Sequence, residues 1–226
     1  MLITIDEVLT PAELAAVRDR LERSVWAGGE ITAGAQAALS KNNRQLPEDA
    51  EHLPALRRIV LGALQRNPLF FTAALPARIL PPYFNRYEGD QNFYGNHVDG
   101  AMRTLPDGGY LRADVSATLF LSEPEEYEGG VLAIEDTFGS REVKLRAGSM
   151  VVYPSSSVHQ VTPVTRGRRI ACFMFIQSMV RDAGRRRLLF DMDMALLQLR
   201  QAHGETAPVV RLTGVYHNLL RHWAEG

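Results

Sequence analysis

Asn96, His97, Val98, Asp99 and Gly100 set an imidazole and a carboxylate one position apart. On an extended chain, alternate residues point to the same side, so His97 and Asp99 can converge on one cation. One such pair is a weak signal. A second imidazole, His159, lies within the run from Tyr153 to Val161, where a strand and a turn can bring it back across a sheet. Two histidines and one carboxylate are the facial donor set of non-haem Fe(II), and they leave coordination positions open for other ligands. Arg169 follows His159 by ten residues and begins the apolar run Ile170 to Phe175. A hairpin would carry its guanidinium into the same pocket. A dicarboxylate then has two anchors, one end chelating the metal and the distal carboxylate in a bidentate, charge-assisted pair with Arg169. Zinc could occupy the same donors, but it has no accessible redox step.

These side chains need elements to position them. Thr10 can cap a helix, Pro11 fits its first position and Glu13 closes a capping box, with Leu14, Val17 and Leu21 as the apolar stripe. After a loop around Gly28 and Gly34, a second helix is expected from Leu53 to about Arg66, burying Leu56, Ile59, Val60, Ala63 and Leu64. Lys41, Asn42, Asn43 and Arg44 read as a surface link. From Ala77 the period changes to short runs rich in Val, Ile, Phe, Tyr and Thr, near 77–88, 111–121, 130–135, 141–145, 149–153, 158–164 and 168–177. Many short strands predict a sandwich or barrel, and a jelly roll has the room. Val115, Ala117, Leu119 and Leu121 alternate with Asp114, Ser116, Thr118 and Phe120, so one face can fill a core while the other lines a partly polar cavity.

Beyond Ser178 two helices are expected. Leu188, Leu189, Met192, Leu196 and Leu199 make one stripe; Leu212, Val215, Tyr216, Leu219 and Trp223 make another after the break at Pro208. Their faces could cover the barrel exterior or contact another subunit, giving a homodimer. Arg185, Arg186 and Arg187 read as a solvated face. The expected division is a dioxygenase-type domain over 1–178 and a helical extension over 179–226.

The 226 residues are 46% hydrophobic and 23% charged, enough to bury one substantial core. With 25 Lys plus Arg against 26 Asp plus Glu, the formal net charge of −1 supplies no global field to gather nucleic acid or anionic lipid, and neither partner is expected. A single Cys, a start (MLITIDEV) without a basic leader segment, and the lack of an apolar run of roughly 20 residues make a soluble, cytoplasmic protein the expectation. Cys172 reads as a small buried hydrophobe, Gly129, Gly130 and Gly148 as turn residues, and Ser155 to Ser157 as a polar turn leading to His159. The stretch Gly89 to Gly95 could form a mobile rim in which Tyr94, together with Asn96, is a candidate substrate contact. The region around Arg103 could contribute to specificity.

The combined runs FNRYEGDQNFYGNHVDGAMR, LRADVSATLFLSEPEEYEGGVLAIED and VKLRAGSMVVYPSSSVHQVTPVTRGRRIACFMFIQS resemble the bacterial PKHD-type hydroxylases, Fe(II)- and 2-oxoglutarate-dependent dioxygenases of the prolyl/lysyl-hydroxylase-like class. The resemblance implies a double-stranded β-helix core of jelly-roll, cupin-like type with flanking helices. It implies that His97, Asp99 and His159 are the iron ligands, that Arg169 holds the distal carboxylate of 2-oxoglutarate, and that the Tyr87 hydroxyl faces the cosubstrate. It also implies dioxygen as co-reactant, ascorbate (vitamin C) as accessory reductant, and a peptidyl or small-molecule substrate that becomes hydroxylated as succinate and carbon dioxide form. Phe120 departs from relatives that carry a second tyrosine on this strand, so Thr118 or Ser116 is expected as the polar companion of Arg169. The competing reading is a cupin-like metal or small-ligand binding protein without turnover.

Overall fold

The structure, a computed structural model, describes residues 1–29, 40–137 and 139–225. Gly34 lies outside them.

Two antiparallel sheets face each other. The larger runs in the order Ile3–Ile5, Met150–Pro154, Val115–Phe120, Arg169–Ser178, Tyr83–Tyr87, Arg44–Gln45, Ala27–Gly28, with Pro76–Ile79 pairing the far half of Arg169–Ser178. The smaller runs Gly139–Val143, Leu132–Asp136, His159–Val161, Phe93–His97, Lys41–Asn42. After Val115–Phe120 the chain crosses to the smaller sheet for Leu132–Asp136 and Gly139–Val143, returns for Met150–Pro154, crosses again for His159–Val161 and returns for Arg169–Ser178. This alternation between sheets is the double-stranded β-helix, the jelly roll expected from the run of short strands.

Val115–Phe120 shows how one strand serves two layers. Val115, Ala117 and Leu119, with Leu121 just beyond, join the core under the N-terminal helices, whereas Phe120 packs with Tyr87, Tyr153 and Ile134 between the sheets and Ser116 and Thr118 face a cavity. Every residue of the strand is buried, as a sheet covered on both faces requires. The helices Pro11–Glu22 and Leu53–Gln65 supply the outer cover. The first begins with the expected reciprocal box: Glu13 N–H donates to Thr10 Oγ1 and Thr10 N–H donates to Glu13 Oε2. The second buries Leu53, Leu56, Val60, Ala63 and Leu64; each of its larger side chains contributes up to about 1.5–3 kcal/mol by leaving water.

Several expectations are corrected. The segment near 77–88 splits into Pro76–Ile79 and Tyr83–Tyr87, because Pro81 and Pro82 have no N–H to offer a ladder. A short helix, Pro68–Ala74, capped by the Asn67 side chain, was not foreseen. Residues 41–44 are no surface link: Lys41–Asn42 and Arg44–Gln45 extend both sheets, with Asn43 buried between them. The last residues of the expected rim, Phe93 to Gly95, belong to the sheet strand Phe93–His97.

The C-terminal helices are Ala183–His203 and Ala207–Trp223. Leu189, Leu196, Val209 and Tyr216 pack with Leu75 and Val180, and Met192, Leu199, Leu219 and Trp223 lie against them. Leu188 is 61% exposed, and Leu212 and Val215 also face outward, because the buried stripe runs along neighbouring helical positions. Arg186 is buried rather than solvated: its Nη1 donates to the carbonyls of Val180 and Arg181 and ties down the turn before the helix. Among the described residues, no helix is long and apolar enough to cross a membrane.

Candidate metal and cosubstrate site

His97 ends the strand Phe93–His97 and His159 begins the strand His159–Val161; the two residues are direct cross-strand partners. Their rings lie 4.2 Å apart between centroids, and Asp99 reaches back from the following loop. One donor atom from each of His97, Asp99 and His159 falls within 4.8 Å of the others. Asp99 carboxylate oxygens stand 4.0 Å from His97 Nε2 and 3.7 Å from His159 Nε2, contacts too long for hydrogen bonds and suited to a cation between them.

The surrounding protein orients each donor. His97 Nδ1–H donates to the Gly95 carbonyl at 2.8 Å and His159 Nδ1–H donates to the Ser157 carbonyl at 3.0 Å, which leaves both Nε2 lone pairs directed inward. Tyr94 stacks on His97 at 3.5 Å. Burial, reinforced by the neighbouring His159, lowers the His97 pKa to about 4, against the pull of the Gly95 carbonyl and Asp99. The ring is therefore neutral near pH 7, the form that binds a metal. Asp99 accepts from Ser116 Oγ at 2.6 Å, and Ser116 Oγ lies 2.7 Å from Ser155 Oγ, so Ser155 completes the chain by donating to Ser116.

Arg169 opposes Tyr87 across the larger sheet and is 1% exposed. Its guanidinium lies 5.2 Å from the Tyr87 ring and 5.1 Å from the Phe120 ring, so Phe120 contributes an aromatic face where a hydroxyl was missed. Nε and Nη2 have no hydrogen-bond partner, and no carboxylate pairs with the group among the described residues. A buried cation left this way costs several kcal/mol unless a ligand completes it. Arg169 and the three donors line one cavity of about 710 Å³. Two nitrogens, one carboxylate oxygen and an incomplete guanidinium in one cavity fit Fe(II) together with a dicarboxylate chelator.

The expected companions of Arg169 are reassigned. Ser116 serves Asp99, and Thr118 lies by the Tyr153 hydroxyl, whose phenol burial pushes up. Tyr127, not foreseen, is buried beside Arg169, whose charge holds back the rise that burial imposes on that phenol. The Tyr87 hydroxyl accepts from Asn85 Nδ2 at 3.3 Å, and Tyr87 lines the cavity. Gly130, expected only as a turn residue, has φ +61° and a second duty: a Cβ there would stand 3.0 Å from Arg169 Cδ and 2.8 Å from Val164 Cγ2. Strand alternation was enough to put Ser116 on the cavity face; its partner was not legible, because Asp99 arrives from a loop.

Residues 82–177 match the 2OG-Fe(II) oxygenase superfamily and residues 183–225 match the PKHD-type hydroxylase C-terminal domain. A PKHD-type hydroxylase of Azoarcus sp. (strain BH72) is 73% identical over 226 residues, covering all of both chains. In fold, the chain is similar to a Pseudomonas putida prolyl-4-hydroxylase (TM-score 0.51, 23% identity, 78% of this chain and 92% of that one). It is also similar to a Trichoplax adhaerens prolyl hydroxylase solved with a hypoxia-inducible-factor peptide (TM-score 0.55, 13% identity, 83% and 86%). With 73% identity over the full length of both chains, this chain belongs to the PKHD-type hydroxylase family, within the 2OG-Fe(II) oxygenase superfamily.

Proposed function

We propose that His97, Asp99 and His159 ligate the Fe(II) of this 2-oxoglutarate-dependent dioxygenase, that Arg169 pairs with the distal carboxylate of 2-oxoglutarate, and that Tyr87 lines the cosubstrate site. The observation that carries this reading is Arg169, a buried guanidinium with two unfilled donors in the cavity that holds the three metal-binding side chains. When bound, Fe(II) with 2-oxoglutarate and dioxygen supplies the oxidative decarboxylation that yields succinate and carbon dioxide and hydroxylates a peptidyl or small-molecule C–H bond. The chain's own residues orient and shield. Gly95 and Ser157 hold the imidazoles in register, Ser116 aims the carboxylate, and Tyr87 and Phe120 wall the guanidinium from water, which strengthens its pairing with an anion.

The test is Arg169→Leu with metal-dependent succinate formation and 2-oxoglutarate affinity as readouts. Removing one member of a buried charge pair is expected to weaken 2-oxoglutarate binding by about 2–5 kcal/mol while metal binding persists; unchanged affinity would remove the assigned role. Ascorbate is the accessory reductant on this reading, and its omission should shorten the productive lifetime of the iron-loaded enzyme. Residues 1–178 form the catalytic unit and 179–226 its helical extension. The exposed Leu188, Leu197, Val210, Leu212 and Val215 on that extension support a homodimer through it, which sedimentation would test. A lone, buried, unpaired Cys172 suits the reducing cytoplasm as the working compartment.

A further inference from the structure

The cavity carries more positive charge than the proposed cosubstrate site uses. Asp99 is the one acidic residue among its described lining, against Arg169, Lys41 and Arg103. On the reading above, Fe(II), Asp99, the 2-oxoglutarate dianion and Arg169 cancel one another, and the inference rests on that reading. Arg103 then stands beyond that balance and lines the same cavity, whereas Lys41, also on the lining, is engaged within the protein. Lys41 is buried, donates to Gln45 Oε1 at 3.0 Å and lies 5.8 Å from the Phe173 ring.

Arg103 is the more telling of the two. It sits on the short strand Met102–Thr104, held by pairing to Tyr110–Arg112, and its guanidinium lies 4.4 Å over the Phe175 ring. No ion pair engages this guanidinium among the described residues, in contrast to Arg112 on the partner strand, which is paired with Asp114. A guanidinium held over an aromatic ring by a cation–π contact keeps its N–H donors for a further partner, and two of them can receive a carboxylate bidentately. Beside it the cavity rim exposes Val98 and Met102, 48% and 57% accessible, which offer apolar contact to whatever the arginine holds.

We propose that the substrate is an amphiphilic carboxylic acid, its carboxylate on Arg103 and its apolar body against Val98 and Met102, which turns the carbon to be oxidised toward the triad. The acid is borne either by a small molecule or by a peptide side chain, and the test separates the two. The Fe(II)-loaded protein with 2-oxoglutarate is titrated anaerobically with 4-phenylbutanoate and its carboxamide, and with a short glutamate peptide and its glutamine counterpart, and binding is followed by calorimetry. The wild-type protein should prefer at least one acid over its amide by about tenfold or more, as a charge-assisted bond in place of a neutral one implies. Which pair shows the preference identifies the source. Arg103→Gln should abolish it, Arg103→Lys should keep part of it, and both should bind 2-oxoglutarate as the wild type does. Equal binding of acid and amide, no binding of either acid, or a preference that survives Arg103→Gln would overturn the proposal. Failure of the wild type to bind 2-oxoglutarate would instead overturn the cosubstrate reading beneath it.

Discussion

The two ends of the cavity are finished to different degrees. At the triad end the protein completes its own hydrogen bonds: Gly95 and Ser157 take the imidazole N–H groups, and Ser116, backed by Ser155, donates to Asp99. At the other end Arg169 is buried against two aromatic rings with Nε and Nη2 open. On the roles proposed above, the contrast follows from what each end would receive. A metal ion demands donors aimed before it arrives, because its bonds are short and directional. A carboxylate can itself supply the acceptors a guanidinium lacks, so completion there is left to the ligand.

Loss of the Asp99 carboxylate should have the largest effect. Asp99→Ala removes the sole anionic donor, and Fe(II) binding, read by metal content after desalting, should be lost along with succinate formation; retained metal would show that the pre-aimed end does not need its carboxylate. Ser116→Ala keeps all three donors and removes only the aim. Outer-shell partners of this kind change metal affinity by about 10–100-fold, so competition with a chelator should reveal weaker Fe(II) retention and an unchanged 2-oxoglutarate affinity once metal is saturating. Gly130→Ala probes the open end in the same spirit. A methyl group at this positive-φ position would press on Val164, Arg169 and Tyr127, costing about 1–3 kcal/mol of stability by overpacking and displacing Arg169 enough to raise the 2-oxoglutarate KM while metal affinity holds.

The smallest effect expected is the pH response of the metal-free protein. His97 is lowered from 6.5 to about 4. At pH above 6.5 the ring is neutral folded and unfolded alike. Between pH 6.5 and about 4 the unfolded chain takes up the proton that the folded one refuses, so stability falls as pH falls. Below that window this group adds no further loss. Thermal unfolding of the metal-free protein across this range should show the slope, and His97→Gln should flatten it; an identical slope in the variant would remove His97 as its source.

Much of this was legible in the residue order. The capping box at Thr10 and Glu13, the apolar stripe of Leu53–Gln65 and the alternation of Val115–Phe120 are local patterns, set by periods of 3.6 and 2.0 residues that any short window displays. The polar fragment around Lys41 was misread for the converse reason: nothing local distinguishes a solvated link from an edge strand whose partners, Phe93 and Tyr94, lie far along the chain. Arg186 misled similarly, since a buried arginine and a solvated one differ in the carbonyls they reach and not in their neighbours in sequence.

Residue order set the chemical inventory: two imidazoles, a carboxylate and a guanidinium spaced along strands of known period, in segments characteristic of one family. Their arrangement in space came from folding. It put His97 opposite His159, bound Ser116 to Asp99 in place of Arg169, set Gly130 against the arginine side chain, and left that arginine without a carboxylate. Side-chain type and periodicity are properties of neighbouring residues, whereas hydrogen-bond partnership and desolvation depend on atoms that the chain brings together from dozens of positions apart.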